Sequence, residues 1–332
     1  MTLAIIGATG LVGQEILRVL EERRFPLHKL LPVASASSEG QFLHWAGKPH
    51  TIISPATALV AQPTLAIFAS EESIAKTWAP RFVEAGTTVI DNSAAWRMHP
   101  DYKLIVPEVN GHMLGIHDKL ISNPNCSTIQ LVMALAPLHH HYGLRRVVIA
   151  TYQAVTGSGK IAVEQLMAER RGMLPRCPQA YPHPIDLNVI PHIGSFLDNG
   201  YTKEEMKIIN ETQKILQDTS IRITSTAVRV PVLGGHALVV NVELTQAFDL
   251  HAVIRLLKQT PGIVVQDDIS QHRYPMPLYA RHQDKVLVGR IRRDHSQPHA
   301  LNLWIVADNL RKGAATNAVQ IAESIKLLTV QT

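Results

Sequence analysis

A cysteine set among small polar residues is the first group in this chain that could do covalent chemistry. The stretch is Ser122-Asn123-Pro124-Asn125-Cys126-Ser127-Thr128-Ile129-Gln130. It follows apolar Leu120-Ile121 and leads into a helix-like run from Ile129 to Leu138. Pro124 holds Asn123 extended, which ends a strand. Asn125, Ser127 and Thr128 are each competent N-caps for the helix that follows. A cysteine at such a turn meets the positive end of a helix dipole, which favours the thiolate. An unperturbed thiol titrates at about 8.5, so a modest depression gives a nucleophile near neutrality. The competing role is a small core residue, since unpaired cysteines are commonly buried. Flanking Asn and Ser point to chemistry.

Further groupings carry chemistry of other kinds. Gly7-Ala8-Thr9-Gly10-Leu11-Val12-Gly13 is a GxxGxxG turn, a variant of the dinucleotide-binding fingerprint. Its glycines let the backbone approach a pyrophosphate, which then rests on a helix N-terminus. The alternative is a turn that needs glycine for packing alone. Thr156-Gly157-Ser158-Gly159-Lys160 could cradle a phosphate, although it lacks the P-loop spacing. Glu204 and Lys207 stand three apart and share a helix face, where an exposed salt bridge is the commoner fate. The run His139-His140-His141 invites a metal reading, but adjacent helical positions point in different directions, and no metal is expected. Cys126 and Cys177 make neither a metal-ligand spacing nor a disulfide framework.

The elements that must position these groups follow from hydrophobic periodicity. Residues 3–6 read as a buried strand, the glycine turn follows, and Val12, Ile16, Val19 and Leu20 recur at helical spacing. Strand-like runs come at 30–34, 65–69, 88–90 and 104–106, with a helix over 73–85. This alternation implies a parallel, doubly wound sheet, whose ligands bind at the carboxyl ends of its strands. The loops 35–40, 70–73 and 91–93 therefore matter. Cys126 follows the last of these strands and is expected on the nicotinamide side of the crevice.

Beyond it the pattern changes. Strands are expected at 147–153, 221–231, 237–244, 286–292 and 301–307, and helices at 202–216 and 250–259. Thr202-x-x-Glu205 is a capping box for the first of these helices. Residues 172–200 are rich in Pro, His and Gly and read as a long ordered loop. A final helix over 314–328 has the apolar stripe Ala318, Ile321, Ala322, Ile325 and Leu328, and is expected to return to the first domain. The fold class is α/β. A doubly wound Rossmann-type domain over 1–124 and 310–332 is joined to an α+β domain over 125–309, whose broad sheet suits pairing with another subunit.

The chain has 332 residues, enough for two domains. A hydrophobic content of 46% with 18% charged residues marks a globular protein. No apolar run reaches the roughly 18 residues of a membrane span, and the N-terminus opens directly into a strand without a basic leader. A reducing cytoplasm is the expected compartment. The net charge of +5 is spread without a basic run, which favours small anionic ligands over nucleic acid.

The chain as a whole resembles the aspartate-semialdehyde dehydrogenase family. The resemblance is carried by Gly7–Gly13, Ile90-Asp91-Asn92-Ser93, Val106-Pro107-Glu108-Val109-Asn110 and Ser122–Gln130. It continues through Thr151-Tyr152-Gln153-Ala154-Val155, Asn188–Gly194, Asp198–Thr212, Arg229-Val230-Pro231-Val232 with Gly235-His236, and Ala307–Glu323. It implies that Cys126 attacks the acyl carbon of L-aspartyl 4-phosphate, that phosphate leaves a thioester, and that NADPH delivers hydride to give aspartate semialdehyde. This is a step toward lysine and diaminopimelate, threonine and methionine. His236 then matches the acid/base histidine, and Gln153 the glutamine that positions substrate at the thiol. Arg229 matches the arginine for the substrate carboxylate. Glu204 and Lys207 match the pair for its amino group and phosphate, and Arg97 and Asn125 match phosphate ligands. NADP is expected against Gly7, Thr9, Gly10, Leu11, Val12 and Gly13, then Ser35, Ser37, Ser38, Ser70, Asn92, Ser93, Gly157 and Asn309. The resemblance implies a homodimer, or a dimer of dimers.

The chain departs from the family pattern at three places. Ala237-Leu238 replace polar residues after the histidine. Glu71-Glu72 stand where the family has a Gly-Gly pair, and like charge is unfavourable beside a polyanionic cofactor. Ser37 stands where the family usually has an arginine that neutralises the 2′-phosphate, with Glu39 two residues on. Two other readings compete. A reductase of an N-acetylglutamyl-type acyl phosphate has no use for Glu204, because an acetylated amine carries no charge. A non-catalytic nucleotide-binding paralogue would have lost Cys126, His236, Gln153 or Arg229.

Overall fold

The computed structural model describes residues 1–174 and 178–330. Cys177 lies outside the described residues. The chain forms two compact units, Met1–Pro124 with Ala314–Thr332, and Asn125–Gly313.

The first unit is a parallel sheet with helices on both faces. Its elements are β1 (Thr2–Ile6), α1 (Leu11–Glu22), β2 (Lys29–Val33), β3 (Phe42–Trp45), β4 (Lys48–Thr51), α2 (Pro55–Val60), β5 (Leu65–Phe68), α3 (Glu72–Glu84), β6 (Thr88–Asp91), β7 (Lys103–Leu104), α4 (Pro107–Asn110) and β8 (Leu120–Ser122). The strand order is β2-β1-β5-β6-β8-β7. Strand side chains alternate between faces, and β1 and β5 obey this residue by residue. Leu3, Ile5, Leu65 and Ile67 enter the core that also holds Ile16, Val19, Leu20, Ala318 and Ile321. Ala4, Ile6, Ala66 and Phe68 enter the other, with Ala75, Ala79 and Phe82. Such two-sided burial explains why these strands read as unbroken apolar runs.

The expected strand over 104–106 is shorter, because Pro107 opens α4 and pairing ends at Leu104. The antiparallel hairpin of β3 and β4 was not legible. Its turn, Ala46-Gly47, has both residues at positive φ (49° and 72°), without the Asn-Gly or Asp-Gly that announces such turns.

The second unit begins with α5 (Cys126–Tyr142), followed by β9 (Leu144–Gln153), α6 (Lys160–Arg170), α7 (Lys203–Leu216), β10 (Arg222–Arg229), β11 (His236–Leu244), α8 (Leu250–Gln259), β12 (Ile263–Val265), α9 (Pro277–Ala280), β13 (Val286–Arg293) and β14 (Ala300–Ala307). Its mixed sheet has the order β10-β9-β11-β14-β13-β12, in which β9–β10 and β12–β13 are parallel and the other neighbours antiparallel. α5 packs against β9, β11 and β14, and is buried almost all round from Ser127 to Leu138. A helix apolar on every side is a core helix.

The stretch 178–200 holds no regular element but is ordered by side-chain hydrogen bonds. Gln165 accepts the amides of Ala180 and Tyr181, and Glu169 accepts those of Ile185 and Asp186. Ile190 bridges to Arg229. α6, which supplies both acceptors, was absent from the sequence expectations. A π-turn over Arg311–Ala315 leads to α10 (Thr316–Val330), which packs on α1 and α4 of the first unit, with Arg23 and Glu323 paired. Among the described residues no helix is long and apolar enough to cross a membrane.

Candidate active site

Asn125 organises the surroundings of Cys126. Of the competent caps, Asn125 is the one used. Its Oδ1 accepts the amides of Ser127 (2.9 Å) and Thr128 (3.3 Å), which satisfies two orphan donors of α5. Cys126 is therefore the first helical residue and is half-buried. Helix α7 holds Asn125 from the other side. Asn125 Nδ2 donates to Glu204 Oε1 at 2.8 Å, and its backbone amide donates to Glu211 Oε2 at 2.7 Å. These glutamates are two turns apart on one helix face. Both are buried. Glu211 escaped the sequence reading, and only its spacing from Glu204 hints at the shared task. The capping box is present as expected, and Glu205 also accepts the amide of Ala227 in β10.

Glu204 gathers the other polar groups. Gln153, at the end of β9, donates to Glu204 Oε1 at 3.3 Å, and Lys207 Nζ lies 3.5 Å from Glu204 Oε2. The pair is not an exposed salt bridge, since Glu204 is buried and Lys207 half-buried. Gly313, from the π-turn, is another residue the sequence did not flag. A Cβ at that position would stand 3.2 Å from the Cβ of Cys126, so glycine keeps the space beside the thiol open.

His236 begins β11 and is fully buried. Its Nδ1 accepts the amide of Ala154 at 3.0 Å. The neutral ring therefore carries its proton on Nε2, which has no partner among the described residues. Burial, then the nearby Arg229 charge, push its pKa well below the usual histidine value, so the ring is neutral at neutral pH. Gln130 lies one turn beyond Cys126 and donates to the carbonyl of His236 at 3.3 Å, tying α5 to the start of β11. Arg229 ends β10, is buried, and donates Nη1 to the carbonyl of Ala154 at 2.6 Å. A Cβ on exposed Gly157 would lie 3.0 Å from Arg229 Nη1 and 3.1 Å from His236 Nε2, so the bare glycine roofs both groups. Asn309 is buried and spends its amide on Thr156 and the Gly235 amide, holding the loops on either side of His236.

The first unit carries the remaining candidates. Gly7 has φ +90°, and a Cβ there would lie 2.3 Å from the carbonyl oxygen of Ala69. A Cβ on Gly13 would lie 2.2 Å from the carbonyl oxygen of Gly7. Gly10 occupies the N-cap position of α1 and leaves its amides without a side-chain cap. Beside this turn the hydroxyl of Ser70 is buried without a partner. These features fit a pyrophosphate held by backbone amides. Ser35 and Ser37 are exposed and Ser38 half-buried, with the hydroxyls of the first two 2.9 Å apart, and Glu39 is drawn toward the amide of Ser54. Glu71 and Glu72 are exposed, and Glu72 pairs with Lys76 at 2.6 Å.

Asn92 and Ser93 are committed within the unit. Asn92 donates to the carbonyl of Phe68 and accepts from Asn123, and the hydroxyl of Ser93 donates to buried Asp91 at 2.6 Å. Burial raises the Asp91 pKa against the hydrogen bonds from Ser93. Arg97 donates to the carbonyl of Asn92 at 2.6 Å. The histidine run ends α5, where His139 accepts the amide of Leu144 and His141 bonds the carbonyl of Pro137. No metal-binding cluster exists among the described residues.

Comparison with known proteins follows these divisions. A family model described as the semialdehyde dehydrogenase NAD binding domain matches residues 2–116, and one described as the semialdehyde dehydrogenase dimerisation domain matches residues 135–312. The aspartate-semialdehyde dehydrogenase of Aquifex aeolicus (strain VF5) is 46% identical over 332 residues, covering 96% of this chain and 96% of the relative. That of Legionella pneumophila is 45% identical over 332 residues, covering 98% and 96%. The crystal structure of aspartate semialdehyde dehydrogenase II from Vibrio cholerae, described as complexed with ASA, matches with a TM-score of 0.93 at 42% identity, over 98% of each chain.

Proposed function

We propose, from the premise that the chain belongs to the aspartate-semialdehyde dehydrogenase family, that it reduces L-aspartyl 4-phosphate to aspartate semialdehyde through a thioester on Cys126. The observation that carries the reading is the clamp on Asn125. One helix face supplies a carboxylate to its side-chain amide and another to its backbone amide. The residue preceding the nucleophile is thus fixed by the element that also bears Lys207.

Chemistry follows from these positions. The Cys126 thiolate, favoured by the N-terminus of α5, attacks the acyl carbon. The carbon–oxygen bond to phosphate breaks with its electron pair on the departing phosphate, which Lys207 and Arg97 attract. NADPH supplies, when bound, the hydride that reduces the thioester. His236 presents its Nε2 proton to the carbonyl oxygen on which charge develops. Collapse of the resulting thiohemiacetal breaks the carbon–sulfur bond, returns the hydroxyl proton to Nε2 of His236, restores the thiolate and releases aspartate semialdehyde. Glu204 holds the substrate ammonium, Gln153 lies beside it, and Arg229 offers a planar fork of donors to the carboxylate. Glu204 also separates this reading from an N-acetylglutamyl-type substrate, whose amide has no charge for it to hold.

The cofactor assignment rests on Gly7, Thr9, Gly10, Leu11, Val12, Gly13 and Ser70 for the phosphates, and on Ser35, Ser37 and Ser38 for a 2′-phosphate. No acidic residue ends β2, which favours NADP over NAD. The commitments of Asn92, Ser93 and Asn309 favour supporting roles for them. The dimerisation-domain match and the partly exposed sheet residues Tyr152, Val239 and Trp304 support a homodimer. The need for a reduced thiol and the pool of NADPH suit the cytoplasm. Phosphate-dependent reduction of NADP by the purified protein with aspartate semialdehyde tests the reading, with NAD run in parallel. Absence of turnover with both would remove it.

A further inference from the structure

The loop Gly157–Ser158 covers a place where several polar atoms are buried without partners. Nε2 of His236 and Nε of Arg229 are two of them, and the hydroxyl of Tyr181 is a third. The Arg229 guanidinium lies 5.9 Å from the centre of the Tyr181 ring, and the Ser158 hydroxyl approaches the phenol oxygen closely enough to lower its pKa, without reaching full hydrogen-bond geometry. Two of the three already have work in the proposed reaction. Tyr181 comes from the stretch between α6 and α7, which the sequence offered only as an ordered loop.

The Tyr181 ring is explained by packing. It sits in an apolar cluster with Val155, Ala162, Leu166, Ile185 and Ile190. Its backbone amide is fixed by Gln165 at 3.1 Å. A phenylalanine would fill the same space. The hydroxyl has no such explanation, because a buried polar group without a partner is destabilising. Groups of this kind are satisfied by a ligand or an ordered water. The neighbours of Tyr181 are the Arg229 guanidinium and the Ser158 hydroxyl, so the fitting ligand group is an anion that accepts several hydrogen bonds.

We propose that Tyr181 determines specificity, its hydroxyl donating to the substrate carboxylate that Arg229 holds. This rests on the function proposed above. Burial raises the phenol pKa, with Arg229 opposing, so the group remains a neutral donor at working pH. The carboxylate is then gripped from the strand end by Arg229 and from the loop by Tyr181. An aldehyde without that carboxylate leaves both groups buried and unpaired, which is how a polar site rejects an analogue.

Tyr181→Phe removes one oxygen atom and keeps the packing. Steady-state kinetics should show the KM for aspartate semialdehyde raised about tenfold, equivalent to ~1.4 kcal/mol. The turnover number should stay within about threefold, and the KM values for NADP and phosphate should not move. The melting temperature should be unchanged or raised, since an unsatisfied polar atom is gone. An unchanged KM for aspartate semialdehyde overturns the inference, as does a parallel rise in all three KM values with a lower melting temperature. If the parent neither turns over nor binds aspartate semialdehyde by calorimetry, the function itself falls and takes this inference with it. A turning-over parent with an indifferent variant overturns the inference alone.

Discussion

The two units hold their candidate sites by different means. In the first, the glycine turn works through what is missing. Gly7 and Gly13 have no Cβ, and Gly10 gives α1 no side-chain cap. The start of α1 has no side-chain cap, and the serines at 35, 37 and 38 are the polar side chains offered nearby in sequence after β2. In the second unit almost everything is done by buried side chains. Glu204, Glu211, Arg229, His236, Gln153 and Asn125 are all buried. The difference reflects the tasks. A phosphate can be held by amides that any sequence carries, provided nothing obstructs them. Acyl transfer needs groups of set charge and protonation state, and these act more strongly away from water.

That contrast can be broken one atom at a time. The largest effect is expected in the second unit. Cys126→Ser should reduce turnover on the order of 10⁴-fold or more, because a hydroxyl is a poor nucleophile at neutral pH. Folding and NADP binding should survive, as thermal unfolding and a cofactor titration would report. Substantial residual turnover would take the nucleophile's role from Cys126.

Next comes Arg229→Lys. An ammonium cannot make the two-point contact with a carboxylate and simultaneously keep the bond to Ala154. Leaving a buried charge poorly paired costs about 2–5 kcal/mol. A fall in kcat/KM of roughly 30-fold to several thousand-fold should follow. A variant that matches the parent across a substrate titration would show that the carboxylate binds elsewhere.

In the first unit the sensitive change is an addition. Gly7→Ala places a Cβ 2.3 Å from the Ala69 carbonyl oxygen at φ +90°. A destabilisation of about 3 kcal/mol or more is expected from the overlap and the left-handed conformation together. It should appear as a lower melting temperature and weakened NADP binding. Unimpaired binding would mean that the turn does not cradle the cofactor.

The smallest effect sharpens the contrast. Ser37→Arg adds a charged side chain where the exposed serines stand. It should raise NADP selectivity over NAD only about fivefold, since contacts at an exposed site are weakened by solvent. Initial rates with both cofactors decide it. Unchanged selectivity would place the 2′-phosphate away from Ser37.

Much of this organisation is local and was therefore legible. Two-sided strands are continuous apolar runs because both faces are buried. The capping box Thr202–Glu205 and the cap at Asn125 each involve residues within three positions of one another. The glycine turn is visible because only glycine fits a positive φ pressed against a neighbouring carbonyl. The ends of these segments were less well read. Pro107 ended β7 early, and the Ala46-Gly47 turn lacked its usual residues, so its hairpin passed unnoticed.

What tertiary structure alone decided is the chemistry of the second unit. Glu211 reaches the amide of Asn125 across a sequence separation of 86, and Ala154 sets the tautomer of His236 across 82. No period or spacing announces such pairs, since hydrogen bonds between distant segments form only once the sheet and helices have packed. By itself the sequence determined which residue types were available and which short segments would be strand, helix or turn, because those preferences act over a few bonds. Folding decided which buried polar atoms found partners and which, like the hydroxyl of Tyr181, were left without a hydrogen bond among the described residues. Burial is a property of the packed chain, and the strength and protonation of every group in the site depend on it.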